Sequence, residues 1–156
     1  MKRSMASPDE RSMRANGLRH HVLVWNDRAD PTVVLCHGFL DQAWSWAGVA
    51  DALVKEGLRV VAFDWRGHGE TEHVGPGGYY HFADYVLDLH ELMPLLAPGP
   101  VHLVGHSMGG TACALYAATH PAVPKTLTLV EGLGPPASTT SAPDKMIAWL
   151  DSVDRL

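Results

Sequence analysis

The sequence predicts an α/β fold, a mostly parallel sheet with helices on both faces. Short apolar runs rich in β-branched residues alternate with segments whose apolar residues recur at helical spacing, as in strand–helix–strand units. Loops rich in glycine and polar residues follow three of these runs. The chain has 156 residues, 46% of them hydrophobic, which is enough for one domain with a core.

The first two strands are expected to form a hairpin. Residues 1–11 are polar and charged, and they predict a disordered tail. Residues 12–27 contain two strand-like runs around Asn16-Gly17, a pair that favours a type I′ turn. Further buried strands are predicted at residues 32–36, 58–63, 101–104 and 125–130.

Helices are predicted between the later strands, at residues 44–56, about 80–96 and 111–120, and again from about residue 141. The inner face of the first comprises Trp46, Val49, Ala50, Leu53 and Val54. The apolar stripe of the second helix comprises Phe82, Val86, Leu89, Met93 and Leu96. Its outer, solvent-facing side is expected to carry Asp84, Asp88 and Glu91. Pro94 is expected to kink or end this second helix.

Composition excludes several classes of protein. The formal net charge of −5 offers no basic surface for nucleic acid. No apolar run approaches the ~18 residues of a membrane span, and the polar start lacks the apolar stretch of a signal peptide, so we expect a cytoplasmic protein. Cys36 and Cys113 show no reason to pair, and the 10 histidines are scattered, which predicts no metal cluster.

The stretch Gly105-His106-Ser107-Met108-Gly109 carries the strongest chemical signal. An apolar strand precedes it and a small-residue helix follows, which is the context of a G-x-S-x-G nucleophile elbow. Glycines at the flanks allow strand and helix to approach closely and leave Ser107 exposed at the apex. The alternative is a glycine-rich turn with an incidental serine.

Three loops, at residues 37–41, 64–72 and 105–109, each follow a predicted strand. Parallel strands end at the same edge of a sheet, and ligands of such sheets bind there. We therefore expect the three loops to converge on one site.

Three motifs in this order carry a family resemblance. They are His37-Gly38-Phe39, Asp64-x-Arg66-Gly67-His68-Gly69 and Gly105-His106-Ser107-Met108-Gly109-Gly110. With them, residues 18–134 resemble the amino-terminal half of an α/β-hydrolase of the serine-hydrolase type. The resemblance implies a partial hydrolase core at 12–134, truncated after about the sixth strand, and the start of a cap or a following helix at 135–156.

The resemblance also implies a mechanism without a cofactor and a small-molecule substrate with an ester-like carbonyl. Ser107 would be the nucleophile that forms an acyl-enzyme. The oxyanion hole would be formed by the backbone N–H of Met108 and that of Phe39.

Other residues of these loops have two interpretations each. His37 is expected to brace its loop by hydrogen bonding rather than to take part in chemistry, with Gly38 beside the site. His106 is expected to be structural or to line the pocket. Trp44 or Trp65 would line an acyl pocket or pack in the core.

Asp64 and Arg66 are expected to be structural, with Asp64 holding its turn and Arg66 bonding carbonyl groups. Neither is expected to take part in the chemistry.

The triad acid and histidine follow the serine in this family. The only histidine after Ser107 is His120, at the far end of a helix that spans about 18 Å. Glu131 is a candidate acid, or a structural loop contact. The sequence thus predicts that the general base is missing and that the chain is a fragment of a longer enzyme.

Two other classes stay open at this point. In the first, the chain is an inactive truncated relative or a binding module. In the second, the same nucleophile elbow catalyses another reaction, as in carbon–carbon bond hydrolases, peptidases and cofactor-free haloperoxidases. Epoxide hydrolases and haloalkane dehalogenases are disfavoured because their nucleophile is an aspartate. We also expect self-association through the exposed edge of the strand at 125–130.

Overall fold

The computed structural model describes residues 7–132. The helix predicted from about residue 141 and the unit at 135–156 lie outside these residues. The elements are, in chain order, the strands β1 (Asp9–Ala15), β2 (Leu18–Trp25) and β3 (Thr32–Cys36), a 3₁₀ helix (Ala43–Trp46), α1 (Ala47–Lys55), β4 (Arg59–Phe63), α2 (Phe82–Leu96), β5 (Val101–His106), α3 (Met108–Thr119) and β6 (Pro124–Val130).

The described strands form one six-stranded sheet in the order β1-β2-β4-β3-β5-β6. β4, β3, β5 and β6 are parallel, whereas β2 runs antiparallel to both of its neighbours, β1 and β4. β3 lies between β4 and β5, and all five of its residues are buried. A continuous apolar run is what a strand covered on both faces requires, so the predicted α/β sheet is confirmed.

Helices cover both faces, as predicted. Val34 and Cys36 of β3 join a buried cluster with α2 and α3 on one face. Val33 and Leu35 alternate with them and pack on the other face with Ala50 of α1.

The two cysteines are free and lie in the first of these clusters. Burial and the neighbouring Cys113 thiol hold the pKa of Cys36 well above its usual value. The positions of the two cysteines along the chain do not indicate this proximity.

The amino-terminal strand starts earlier than the sequence predicts. The disordered tail predicted for residues 1–11 is wrong for Asp9, Glu10 and Arg11, which pair with β2 as part of β1. Their charges suit an edge strand, and Arg11 forms an ion pair with Asp27 beyond the end of β2.

α2 includes Pro94 and ends two residues later at Leu96, where the sequence predicts its end. Three expectations about which helix residues are buried were wrong. Val49 is 43% exposed because α1 turns Ala50, rather than Val49, onto the sheet. Phe82, expected on the inner stripe of α2, is 39% exposed. Asp88, expected on the outer face of α2, is fully buried.

The buried charge of Asp88 is balanced by the guanidinium of Arg66. The guanidinium of Arg66, in the loop after β4, binds both carboxylate oxygens at 2.7 and 2.6 Å. The Asn16 side chain, in the β1–β2 turn, donates to Oδ1 at 2.9 Å. Arg66 was expected to bond carbonyls; it instead links its loop to α2 through carboxylates, Asp84 included at 3.3 Å.

Among the described residues, none of the helices combines the length and the apolar character that a membrane crossing needs.

We predict that Asp88→Ala strongly destabilises the protein. The change leaves the buried Arg66 charge without its main partner, which costs about 3–5 kcal/mol in the free energy of unfolding. Urea unfolding measures this loss. Lys55→Ala is the control, because it breaks an exposed pair with Asp51 and should change stability by less than about 1 kcal/mol. Equal losses of unfolding free energy in Asp88→Ala and Lys55→Ala would contradict the stabilising role assigned to the Asp88–Arg66 pair.

We also predict self-association through β6. Within residues 7–132, β6 pairs with β5 alone and most of its side chains are exposed. Thr128→Lys places a charge on this edge and should lower the apparent mass of the 156-residue chain in analytical ultracentrifugation. Val49→Lys adds the same charge on α1 and should not. A wild-type chain that stays monomeric across a wide concentration range would count against this surface.

Candidate active site

Ser107 occupies the turn between β5 and α3, as the sequence predicts. Its φ of 50° and ψ of −119° lie in a region that side-chain-bearing residues rarely adopt. Its N–H donates to the Val130 carbonyl of β6 at 2.9 Å, and its carbonyl accepts from Thr111 N–H in α3 at 3.1 Å. The strained conformation is therefore held from both sides, which is the geometry of a nucleophile elbow.

Close approach of backbones makes this turn possible. A Cβ on Gly105 would lie 2.6 Å from the Cα of Gly110, and one on Gly109 would lie 2.6 Å from the Cys36 carbonyl oxygen. A Cβ on Gly110 would lie 2.5 Å from the Cα of Gly132, after β6. The roles of Gly105 and Gly109 were expected, whereas the contact of Gly110 with Gly132 joins segments whose proximity the motif does not encode.

The loop after β3 lies against the elbow. A Cβ on Gly38 would be 3.3 Å from the Cβ of Ser107 and 2.9 Å from Nδ1 of His106. The next residue is Phe39, whose side chain is 64% exposed. Met108 is the first residue of α3, where backbone N–H groups lack partners within the helix. The two N–H groups suggested for the oxyanion hole thus adjoin the contact between the loops.

His37 braces this loop in its neutral form. Its Nδ1–H donates to the Gly38 carbonyl at 2.7 Å, and its Nε2 accepts from Trp65 N–H at 3.1 Å. Burial lowers the pKa of His37 below its ordinary value. Both ring nitrogens are thereby engaged, so the ring is a support for the loop rather than a proton acceptor for Ser107.

Trp65 does not line a pocket. Its side chain is fully buried, it packs edge-on against Phe63 and Tyr85, and its Nε1–H donates to the His37 carbonyl at 2.9 Å. The alternative in which it lines an acyl pocket was therefore wrong. Trp44 packs edge-on against Trp25 but is 40% exposed, so it belongs to neither buried cluster, and its place at an acyl pocket stays a prediction.

Asp64 holds the third loop, the one after β4. Its carboxylate accepts from the N–H of Ala43 at 2.6 Å, from the N–H of Glu70 at 3.0 Å and from Nδ1–H of His21 at 2.8 Å. The carboxylate also lies so close to Gly69 that a Cβ there would clash with its Oδ2. The role of holding a turn was expected, but the link to His21 in the hairpin was not, because 43 residues separate the two.

Asp41 places a charge beside the loop after β3. Burial alone would raise the pKa of its carboxyl, but hydrogen bonds from Ser45 and from Gln42 N–H outweigh burial, so the pKa lies below its usual value. His106 is half-buried, and its ring lies against Gly38.

Neither remaining candidate completes a triad in residues 7–132. Glu131 follows β6 directly, with a φ of 57° and an exposed side chain, so only its backbone neighbourhood adjoins the elbow. His120 is at the far end of α3 and bonds His90 at 2.9 Å. Within the described part of the chain, no side chain is hydrogen-bonded to Oγ of Ser107.

Glycine substitutions test the elbow packing. Gly109→Ala and Gly110→Ala introduce a Cβ against backbone atoms that have little freedom to move, so each should lower the free energy of unfolding by about 1–3 kcal/mol or more. Gly48→Ala is the matched control, because Gly48 is in α1 with open space around it and alanine favours helices by up to about 1 kcal/mol. Chemical denaturation should show a loss of unfolding free energy in Gly109→Ala and Gly110→Ala and a gain in Gly48→Ala. An unchanged stability of Gly109→Ala would refute the close approach of the backbones.

The neutral His37 predicts loss of stability in mild acid. Because its folded-state pKa lies below the ordinary value of about 6.5, the unfolded chain binds the proton first as the pH falls. The contribution of neutral His37 to the free energy of unfolding is therefore complete above about pH 6.5. It decreases below that pH, by at most about 1.4 kcal/mol per pH unit.

Urea unfolding between pH 7.5 and 5.5 measures this dependence. His37→Gln should flatten it, whereas His73→Gln, at an exposed histidine, should preserve it. An unchanged pH dependence in His37→Gln would contradict the neutral brace.

Comparison with known proteins agrees with this geometry. A family model described as the alpha/beta hydrolase fold matches residues 31–154. The chain is 37% identical over 123 residues to the bifunctional esterase/perhydrolase DCH of Acinetobacter calcoaceticus, covering 77% of this chain and 44% of that protein. It is 34% identical over 110 residues to the mouse (Mus musculus) sn-1-specific diacylglycerol lipase ABHD11, covering 70% and 35%.

Solved structures show the same likeness. The thioesterase domain from the curacin biosynthetic pathway superposes with a TM-score of 0.81 at 30% identity, over 96% of this chain and 54% of that one. The epoxide hydrolase VrEH1 from Vigna radiata superposes with a TM-score of 0.79 at 28% identity, over 94% of this chain and 47% of that one. The chain thus spans about half the length or less of these proteins. It belongs to the α/β-hydrolase fold family.

Proposed function

We propose that this chain carries the nucleophile and the oxyanion hole of a serine hydrolase that acts on an ester-like carbonyl. The observation that supports this most is the strained Ser107 turn with the Gly38 backbone directly against it. A serine held at such an apex, beside two sets of backbone N–H groups, suits nucleophilic attack on a carbonyl carbon.

In the proposed reaction, Oγ of Ser107 attacks the carbonyl carbon and its proton passes to a general base. The carbonyl oxygen becomes an oxyanion, which the N–H groups of Phe39 and Met108 would bind. The amino-terminal end of α3 adds a favourable dipole. One such donor is worth about 3–4 kcal/mol in the transition state. The base returns the proton to the leaving oxygen as the intermediate collapses, so the alcohol departs and the acyl group stays on Ser107, for water to remove.

The general base is proposed to lie outside residues 7–132. His37 is committed at both nitrogens, and His120 bonds His90 at the other end of α3. His106 adjoins Ser107 in sequence, but its ring faces Gly38. Glu131 is the described carboxylate whose backbone lies next to the elbow, and it remains our candidate for the acid.

The relatives favour carbonyl chemistry but do not select a substrate. Those named an esterase, a diacylglycerol lipase and a thioesterase domain are all, by name, acyl-transferring hydrolases. Others are named epoxide hydrolases. The family resemblance assigns those enzymes an aspartate nucleophile, and this chain has Ser107 in that place, so an ester-like substrate is the better match.

We predict that an activated ester acylates Ser107 in the 156-residue chain, with slow turnover. Loss of the base in a serine protease costs on the order of 10⁶ in kcat, while the oxyanion hole retains part of the acceleration. After incubation with p-nitrophenyl acetate, peptide mass spectrometry should locate the acetyl group on Ser107. Ser107→Ala should lose the adduct, and Ser12→Ala, at an exposed serine of β1, should keep it.

Two outcomes would contradict parts of this proposal. An adduct that forms elsewhere on the chain and equally in Ser107→Ala would remove the nucleophile and favour a binding module. Turnover at ordinary enzyme rates that Ser107→Ala abolishes would place the base among the residues assigned structural roles, and His106→Gln would be the first variant to test.

A further inference from the structure

Two histidines meet on the surface far from Ser107. Nδ1 of His90, in α2, lies 2.9 Å from Nε2 of His120, just after α3. The ring centroids are 4.8 Å apart. The residues come from different helices, and the contact has no part in the proposed hydrolase chemistry.

The ring of His120 is fixed by its surroundings. It stacks on Tyr116 at 4.4 Å with only 10° between the ring planes. Its Nδ1 lies 2.9 Å from the hydroxyl oxygen of Thr119 and 3.3 Å from the Tyr116 carbonyl. The Thr119 hydroxyl faces the Leu115 and Tyr116 carbonyls, to which it donates, so its oxygen accepts from Nδ1–H of His120. The lone pair of His120 is therefore on Nε2 and directed at His90.

This arrangement is how proteins prepare a metal-binding histidine. A ligand histidine usually donates its other ring N–H to an oxygen acceptor, which sets the tautomer and the ring orientation. His90 is exposed, so its ring is free to turn, and the tautomer that carries its proton on Nε2 leaves Nδ1 as a second lone-pair donor.

We propose that His90 and His120 form a two-histidine site for a divalent transition-metal ion of the nickel and copper type. With metal–nitrogen bonds of about 2.0–2.1 Å, nitrogens 2.9 Å apart subtend about 90° at the ion. That is the angle between adjacent ligands in octahedral or tetragonal coordination, which Ni²⁺ and Cu²⁺ accept. A tetrahedral ion would need the nitrogens about 3.4 Å apart.

Binding replaces the proton that the two rings share. The His90 ring turns so that both lone pairs point at the ion, the Nδ1 proton leaves or moves to Nε2, and water fills the other coordination positions. The described residues contain no group of three or more His, Cys, Asp or Glu side chains placed to hold a metal, so the two imidazoles are the protein ligands. The ion would join α2 to α3 and stabilise their packing.

Calorimetric titration of NiCl₂ into the untagged 156-residue chain tests this site. We expect one saturable site, weakened about tenfold or more in His90→Ala and in His120→Ala. His102→Ala is the control, because His102 bonds Thr126 elsewhere on the surface and its loss should leave the affinity unchanged.

Thermal unfolding gives a second measurement that does not depend on His120→Ala folding well. Ni²⁺ should raise the Tm of the wild type and of His102→Ala, and not that of His90→Ala, whose exposed side chain leaves the fold intact. Absence of saturable binding at millimolar Ni²⁺, or equal affinity in His90→Ala and the wild type, would overturn the proposal.

Discussion

The close approach of backbones around Gly105, Gly109 and Gly110 is the constraint on which the rest of the site depends. These glycines bring α3 against the ends of β3, β5 and β6 at distances that no side chain would allow. As a result, Ser107 is forced into its strained turn while the loop after β3 passes directly beside it. A side chain at these positions would separate the nucleophile from the N–H groups proposed to stabilise the oxyanion.

Buried polar groups then hold the loops around that contact. Neutral His37 ties its own loop to Trp65, Asp64 ties the loop after β4 to Ala43 and to the hairpin, and Arg66 ties it to Asp88 of α2. Buried polar groups that are hydrogen-bonded in this way stiffen the loops, because breaking any of these bonds would leave a costly unpaired group. Such rigidity is what a site needs if its donors are to be in place before charge develops.

The parts of this arrangement that sequence predicts are those encoded locally. The apolar runs located β3 to β6, and the glycines around Ser107 located the elbow. Asp88 was misplaced because helical periodicity counts an aspartate as outward, and its cation, Arg66, is 22 residues away. The same reason hid the link from His21 to Asp64. Trp65 remained ambiguous because its position after a strand does not reveal that its ring turns back into the core.

The most direct test of the central claim is a crystal structure of the chain with a phosphonate bound to Ser107, since the phosphonyl oxygen occupies the position of the oxyanion. We predict that this oxygen lies about 3 Å from the backbone nitrogens of both Phe39 and Met108. A phosphonyl oxygen more than roughly 6 Å from the Phe39 nitrogen, well beyond hydrogen-bonding range, would contradict the account.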